Sequence, residues 1–339
     1  IKKGRKAMLR CALFGAGRIG RMDADNLVRH PKATLSHVYD VVADAASEVA
    51  AKHGAKASAS VDEALADPAV DAVLIASSTD THIDLIQRSV EAGKAVLCEK
   101  PIDLDIARVD ACWQQIKDSN PRVMIGFNRR FDPSFKAVHD AIRAGEIGDL
   151  RQVTITSRDP DVPSVAYMQV AGGLLRDMTI HDFDLARYLL GDEPVKVACF
   201  AQALIAQKVK DLNDHDTAMI IMETAAGRQA CITNYRRATY GYDQRIEAVG
   251  ETGMVKAENR RPHTMERWDA QTTEAKAPVL NFFIERYQEA YNAEIQAFVD
   301  AVENGSAMPV GFEDGRRALL LANAAYESLA TGKAVTVEG

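Results

Sequence analysis

Apolar and polar residues alternate in blocks along the first third of the chain. Leu9–Phe14 is a short apolar run with one Arg, and it enters Gly15-Ala16-Gly17-Arg18-Ile19-Gly20, after which a helical pattern runs to about Arg29. Ala33–Tyr39 reads as a second strand ending at Asp40, followed by a helix over Ala43–His53 and a short one over Val61–Ala66 that stops near Pro68. Asp71–Ala76 reads as a buried strand, Thr81–Glu91 as a helix, Ala95–Cys98 as a strand, Asp103–Lys117 as a helix and Arg122–Gly126 as a strand. Strands alternating with helices predict an α/β domain with a parallel, doubly wound sheet. In such sheets ligands sit off the carboxyl ends of the strands. Those ends are Gly15–Ile19, Asp40, Ser77–Thr79, Glu99-Lys100-Pro101 and Phe127-Asn128-Arg129, and they are expected to line one crevice.

After about Phe131 the texture changes. A helix over Ser134–Ala144 leads into longer alternating runs at Leu150–Ser157, Val195–Ala206, Asp216–Glu223, Gln229–Tyr235 and Gln244–Gly250. Few helices intervene, so an α+β domain with a large, mainly antiparallel sheet is predicted. The expected division is 8–128 and 129–339, with the C-terminal helix free to pack back on the first domain. The second face of such a sheet needs a partner. The candidates are the late helices, Phe282–Glu303 and Glu313–Ala330, and a second subunit, which makes a homo-oligomer (dimer or tetramer through this sheet) the expectation.

Composition narrows the class. A chain of 339 residues is long for one core, which agrees with two domains. Hydrophobic content of 47% and charged content of 26% are ordinary for a globular chain. The net charge of −7 gives no electrostatic reason to expect nucleic acid or an anionic membrane as partner. No apolar run approaches a membrane span. Ile1–Ala7 is basic but no apolar stretch follows it, so no secretory signal is expected and Met8 is a candidate start. The five cysteines are scattered, odd in number and never in a CxxC pair, which predicts a reducing, cytoplasmic setting with neither a disulfide framework nor a zinc site.

Two stretches carry chemistry. The first is strand, glycine turn, helix, strand, acid, with Asp40 twenty residues beyond Gly20. In this setting GxGxxG is a dinucleotide fingerprint: the first glycine makes the turn, the second admits a pyrophosphate, the third lets helix pack on strand. Asp40 suits the two ribose hydroxyls of NAD and would repel a 2′-phosphate, and Val41 and Val42 offer no basic alternative, so NAD is expected over NADP.

The second stretch is Ala171-Gly172-Gly173-Leu174-Leu175-Arg176-Asp177-Met178-Thr179-Ile180-His181-Asp182-Phe183-Asp184. Thr179 is the expected N-cap of a helix from Ile180, with Asp182 completing a capping-box-like pair, and Gly191 the expected C-cap. Asp177 and His181 are four residues apart, close enough for an acid and an imidazole to neighbour each other. In the first turn the helix dipole opposes protonation of His181, which keeps it ready to accept a proton. Asp177, His181 and Asp184 share a face, but no further ligands follow at usable spacing, so no metal is expected. Lys100, beside Pro101 at the rim of the crevice, is a candidate cation; a cis Lys100–Pro101 bond would fix its direction.

Gly15-Ala16-Gly17-Arg18-Ile19-Gly20, Thr79-Asp80-Thr81-His82, Cys98-Glu99-Lys100-Pro101, Gly126-Phe127-Asn128-Arg129-Arg130-Phe131-Asp132, and Gly172-Gly173 followed by Asp177 and His181 together resemble the Gfo/Idh/MocA oxidoreductases, from about Met8 to the C-terminus. The resemblance implies a Rossmann domain with NAD held by Gly15, Ala16, Gly17, Arg18, Ile19, Asp40, Ser77, Ser78, Thr79, His82, Glu99 and Lys100. It implies a catalytic group of Lys100, Asp177 and His181, with His181 as general base, Asp177 orienting it and Lys100 on the reacting oxygen. Arg129-Arg130-Phe131-Asp132 and Tyr240-Gly241-Tyr242-Asp243 bring the chain nearest to members that oxidise a cyclitol, myo-inositol to scyllo-inosose. The polyol would then be held by Asn128, Arg129, Asp159, Asp177, His181 and Tyr242, with Ser157 and Arg158 as weaker candidates. Arg130 is expected to pair with an acid such as Asp132, and Tyr188 to pack. The alternatives are another sugar or polyol dehydrogenase, an enzyme that recycles tightly held NAD internally, and a non-catalytic NAD-binding sensor.

Overall fold

The computed structural model describes Met8–Glu338; the basic segment Ile1–Ala7 lies outside the described residues. The chain forms two compact units. One runs to Asn128 and takes in Tyr291–Arg316; the other comprises Arg129–Ala290 and the residues from Arg317 onward.

The first unit holds β1 (Leu9–Phe14), α1 (Arg18–Arg29), β2 (Ala33–Tyr39), α2 (Ala43–His53), β3 (Lys56–Ala57), α3 (Val61–Ala66), β4 (Ala72–Ile75), α4 (His82–Glu91), β5 (Ala95–Cys98), α5 (Ile106–Ile116) and β6 (Val123–Ile125). The strands form one sheet in the order β3-β2-β1-β4-β5-β6, and every pair is parallel. The order reverses at β1, the switch point where such sheets bind nucleotides. β4, β5 and β6 are fully buried apolar runs, as a sheet covered on both faces requires.

Local chemistry sets the element ends. Ser60 accepts from Glu63 N while Glu63 reaches back to Ala59 N, and this reciprocal pair starts α3. α5 begins at Ile106 rather than at Asp103, because Asp105 caps it through Ala107 N and Asp103 accepts from Asp105 N. Tyr291–Arg316 closes this unit: Val310 O accepts from Ile125 N, and Phe312 stacks on Trp113 at 5.2 Å.

The second unit holds α6 (Pro133–Arg143), β7 (Leu150–Arg158), α7 (Val165–Met168), α8 (Leu174–Asp177), α9 (Thr179–Leu190), β8 (Pro194–Gln202), α10 (Gln207–Asp211), β9 (Thr217–Thr224), β10 (Gln229–Tyr235), β11 (Asp243–Gly250), β12 (Met254–Ala257) and the small hairpin β13–β14 (Glu266–Arg267, Ala275–Lys276). The late helices are α11 (Phe283–Asn304) and α12 (Phe312–Thr331), and the last strand is β15 (Val335–Thr336). The main sheet has the order β12-β11-β7-β10-β9-β8-β15; it is antiparallel except where β10 runs parallel to β7. α9 packs across β7 and β10 on one face. The other face carries Phe200, Met219 and Ile221 at 77%, 61% and 56% exposure. Phe200 and Met219 stand opposite each other on neighbouring strands of that face.

Candidate active site

The glycine turn after β1 is sterically determined. Gly15 has φ +99°, and a Cβ there would stand 2.5 Å from the backbone of Ala76 and Ser77. A Cβ on Gly20 would strike the carbonyl oxygen of Gly15. Gly17 faces open space with nothing within 4 Å, and it caps α1 with no side-chain hydrogen bond. No acid stands in the first turn of α1, so its N–H groups and the positive end of its dipole face that space. Asp40 anchors the far side, accepting from Ala16 N at 2.6 Å and Val42 N at 2.8 Å. Val41 and Val42 beside it are 87% and 58% exposed. This cradle fits NAD: the open glycine and uncapped helix suit a pyrophosphate, and the carboxylate suits a ribose diol.

Because the sheet is all parallel, the other strand ends share this edge. Ser77 Oγ and Thr81 Oγ1 lie 2.7 Å apart, and Thr81 Oγ1 donates to Ser78 O, which fixes the turn through Thr79. His82 opens α4 at 1% exposure. Its ring nitrogens lie 2.8 Å from Pro101 O and 3.2 Å from Ser77 O, so it ties two strand ends together. Burial lowers its pKa, and as the neutral ring it donates at only one of these two contacts. The Lys100–Pro101 peptide is cis. Burial pushes Glu99 up to about 7, with Lys100 pulling the other way.

In the second unit the glycines give way to α8 and α9. Gly173 has φ +82° and leaves no room for a side chain beside Tyr326. Thr179 does not cap α9: it lies inside the helix, fully buried, and donates to Asn234 Oδ1 at 2.6 Å. Asp182 is not a capping partner either. It is buried against Arg129 and accepts from Asn234 Nδ2 at 2.8 Å. A buried hydroxyl and carboxylate need partners more than a helix end does, and β10 supplies them through Asn234. Gly191 is the left-handed C-cap, as the sequence implied.

Asp177 ends α8, and His181 stands partly buried in the first turn of α9. The Asp177 carboxylate accepts from Tyr167 Oη at 2.7 Å and from Arg236 Nη2 at 2.6 Å. Asp159 reaches the same Arg236, with Oδ2 4.0 Å from Nε. Burial pushes Asp159 up to about 6; Arg236 and Arg129 oppose that shift, and Asp177 and Asp182 add to it.

Arg129 is 4% exposed, pairs with Asp182 and donates to Ser157 Oγ, with Tyr287 5.7 Å from its guanidinium carbon. Tyr242 is 7% exposed and meets Tyr287 edge-on at 5.9 Å. Asn128 is 2% exposed and its Nδ2 makes no hydrogen bond. Arg130 pairs with Asp184, not with Asp132; Asp132 is taken by Arg286 and by the first N–H groups of α6. Tyr188 packs against His139, ring centroids 3.8 Å apart. Among the described residues no group of His, Cys, Asp or Glu is arranged to hold a metal ion.

Tyr167, Asn234 and Arg236 carry no sequence motif. The signal was there for two of the three. Ala230, Ile232 and Asn234 alternate inward along β10, and Arg236 continues that parity, so an amide and a cation stand on the buried face. Polar residues on a core parity mark a site or a network.

Residues 9–127 match the family described as "Oxidoreductase family, NAD-binding Rossmann fold", and residues 135–256 match "GFO/IDH/MocA C-terminal domain". An inositol 2-dehydrogenase of Rhizobium meliloti is 47% identical over 331 residues, 97% of this chain and 99% of that protein. The crystal structure of a myo-inositol dehydrogenase from Corynebacterium glutamicum superposes with a TM-score of 0.95 at 44% identity, covering 98% of this chain and 99% of that one. A scyllo-inositol dehydrogenase of Lactobacillus casei, solved with NAD(H) and scyllo-inositol, superposes with a TM-score of 0.90 at 27% identity, over 97% of this chain and 99% of that one.

Proposed function

The chain belongs to the Gfo/Idh/MocA oxidoreductases, enzymes that act with NAD on a CH–OH group, and from that footing we propose that it oxidises a cyclitol, with myo-inositol to scyllo-inosose as the leading reaction. The observation that carries this reading is the pairing of Asp177 with Arg236 and Tyr167 one turn ahead of His181, beside the second carboxyl of Asp159. A ring bearing many hydroxyls needs donors and acceptors on several sides, and this cluster offers both.

His181 takes the proton from the reacting hydroxyl. Asp177 orients His181 or the neighbouring hydroxyl, and Lys100 hydrogen-bonds the reacting oxygen as negative charge develops on it. Bound NAD supplies the hydride acceptor. A secondary alcohol is a very weak acid, so base and cation both lower the barrier; a positioned base is worth about 10²–10⁴-fold. Asn128, Arg129, Asp159 and Tyr242 complete the polyol set. Gly15, Ala16, Gly17, Arg18, Ile19, Asp40, Ser77, Ser78, Thr79, His82, Glu99 and Lys100 form the cofactor set, the first group by direct contact and His82 by holding the loops of Ser77 and Pro101. Residues 8–128, with Tyr291–Arg316 packed in the same unit, serve as the NAD domain, and the remainder of 129–339 as the substrate and assembly domain.

The exposed sheet face with Phe200, Met219 and Ile221 supports assembly through the second domain, as a dimer or tetramer. The five cysteines are free thiols, in keeping with a cytoplasmic protein. No helix among the described residues is long and apolar enough to cross a membrane.

The test is a panel of cyclitols and hexoses assayed with NAD and NADP. Turnover of myo-inositol with NAD, above hexoses and above NADP, is expected. Preference for a hexose would move the assignment to another polyol dehydrogenase of the family.

A further inference from the structure

Arg236 is among the largest fully buried side chains in the chain, at 1% exposure. Its backbone N donates to Asp216 O at 2.9 Å, which fixes the residue just past the end of β10. Its side chain reaches into a group of three carboxyls. Nη2 donates to Asp177 Oδ2 at 2.6 Å, Nε stands 4.0 Å from Asp159 Oδ2, and Asp214 acts on it electrostatically. Asp214 is otherwise held by the backbone N–H groups of Leu174 and His215.

The guanidinium makes its hydrogen bond to Asp177 through Nη2. Its Nε is buried and makes no hydrogen bond. The fork is turned so that its shortest bond goes to Asp177. Tyr167 donates to the other oxygen of the same carboxylate at 2.7 Å, so both Asp177 oxygens have a protein donor. A carboxylate held at both oxygens has a fixed plane, and that plane sets the direction in which it receives any third donor.

We propose that Arg236 is the positioning residue of this site: it fixes the Asp177 carboxylate in place and in its charged state, so that Asp177 in turn orients the proton acceptor and the polyol. This rests on the reading of Asp177 and His181 given above. Arg236 acts through Asp177 and makes no bond in the reaction. Its consequence is electrical as well as geometric, because one cation serves Asp159, Asp177 and Asp214. A carboxylate that loses a cation at hydrogen-bond distance holds its proton more tightly. Lysine keeps the charge but lacks the planar fork that reaches Asp177 while passing Asp159.

Arg236→Gln and Arg236→Lys, each checked for NAD binding and for its unfolding temperature, carry the test. In Arg236→Gln, kcat is expected to fall about 10²-fold, in line with the cost of a misplaced catalytic group, and the acid limb of the pH–rate profile to move to higher pH. Arg236→Lys is expected to return the limb towards its wild-type position while recovering only part of kcat. A uniform loss of rate with an unmoved pH profile in both variants would reduce Arg236 to packing and overturn the proposal. Carboxyl-carbon NMR of labelled aspartates, with Asp177→Asn for assignment, reads the same carboxylate without turnover. An upward move of the Asp177 titration in Arg236→Gln supports the proposal, and an unmoved titration overturns it. Absence of wild-type turnover on every polyol would instead count against the proposed reaction, leaving the NMR result to decide the role of Arg236.

Discussion

Arg129 and Asp182 form an ion pair that is closed to water on both sides, at 4% and 0% side-chain exposure, one from the turn after β6 and the other from α9. Ser157 of β7 accepts from the arginine, and Asn234 of β10 donates to the aspartate. Four elements of the second unit therefore meet on one charge pair, whose aspartate follows His181 directly in α9.

Breaking that pair strands a buried charge. Asp182→Ala is expected to lower unfolding stability by about 3–5 kcal/mol, whereas an apolar replacement of both partners costs less than the single change. Urea unfolding of the two single variants and the double variant measures this. Equal losses in all three would mean that the pair contributes only volume.

The first unit gathers three carboxyls near one another: Asp23 on α1 and Glu294 on α11, 6% and 2% exposed, and the partly buried Glu99 after β5. An unfolded glutamate gives up its proton near 4.5, and burial pushes Glu99 up to about 7. Burial likewise raises Asp23 and Glu294; repulsion from Glu99 adds to both, and repulsion from Asp23 adds to Glu294. Between those pH values the folded state binds more protons than the unfolded one, so stability present below about 4.5 is lost as pH rises through 7. Glu99→Gln is expected to flatten the fall in unfolding temperature across that window. A slope unchanged in the variant would show that other groups set it.

The proposed reader of the cofactor ribose is the Asp40 carboxylate. Asp40→Ser is expected to reduce the NAD-to-NADP preference by about tenfold or more, since each tenfold corresponds to about 1.4 kcal/mol. Binding titrations with both dinucleotides decide it, and unchanged selectivity would mean that another group reads the ribose.

Replacing His181 by Ala removes the proposed proton acceptor. Turnover is expected to fall about 10²–10⁴-fold with NAD affinity unchanged. Near-normal turnover would transfer the role elsewhere.

Much of this was legible because backbone periodicity and glycine sterics are local. Ala33–Tyr39, Ala43–His53, Val61–Ala66, Ala95–Cys98 and Gln229–Tyr235 fall where the apolar pattern put them, since each is a run bounded by a turn or cap. β3 is two residues long and exposed, and β13 and β14 pair only with each other, so none leaves a pattern to read. The parallel pairing of β7 with β10 depends on chain path, which alternation does not encode. Asp177 and His181 stood out through spacing within one stretch. Tyr167 did not, because it lies ten residues upstream on a short helix with no motif, and Arg236 reaches Asp177 from a distant strand end where only its parity on β10 sets it apart. Thr179 and Asp182 misled because a capping pair and a buried network use the same residue types, and only Asn234, from another strand, decides between them.

The central claim is that a free cyclitol loses hydride to NAD and leaves as a ketone. The most direct measurement mixes the protein with NAD and myo-inositol and follows NADH absorbance while the ketone product is quantified. One NADH released per ketone formed is the result this account predicts. Tight NAD binding with no net NADH from any cyclitol would contradict it.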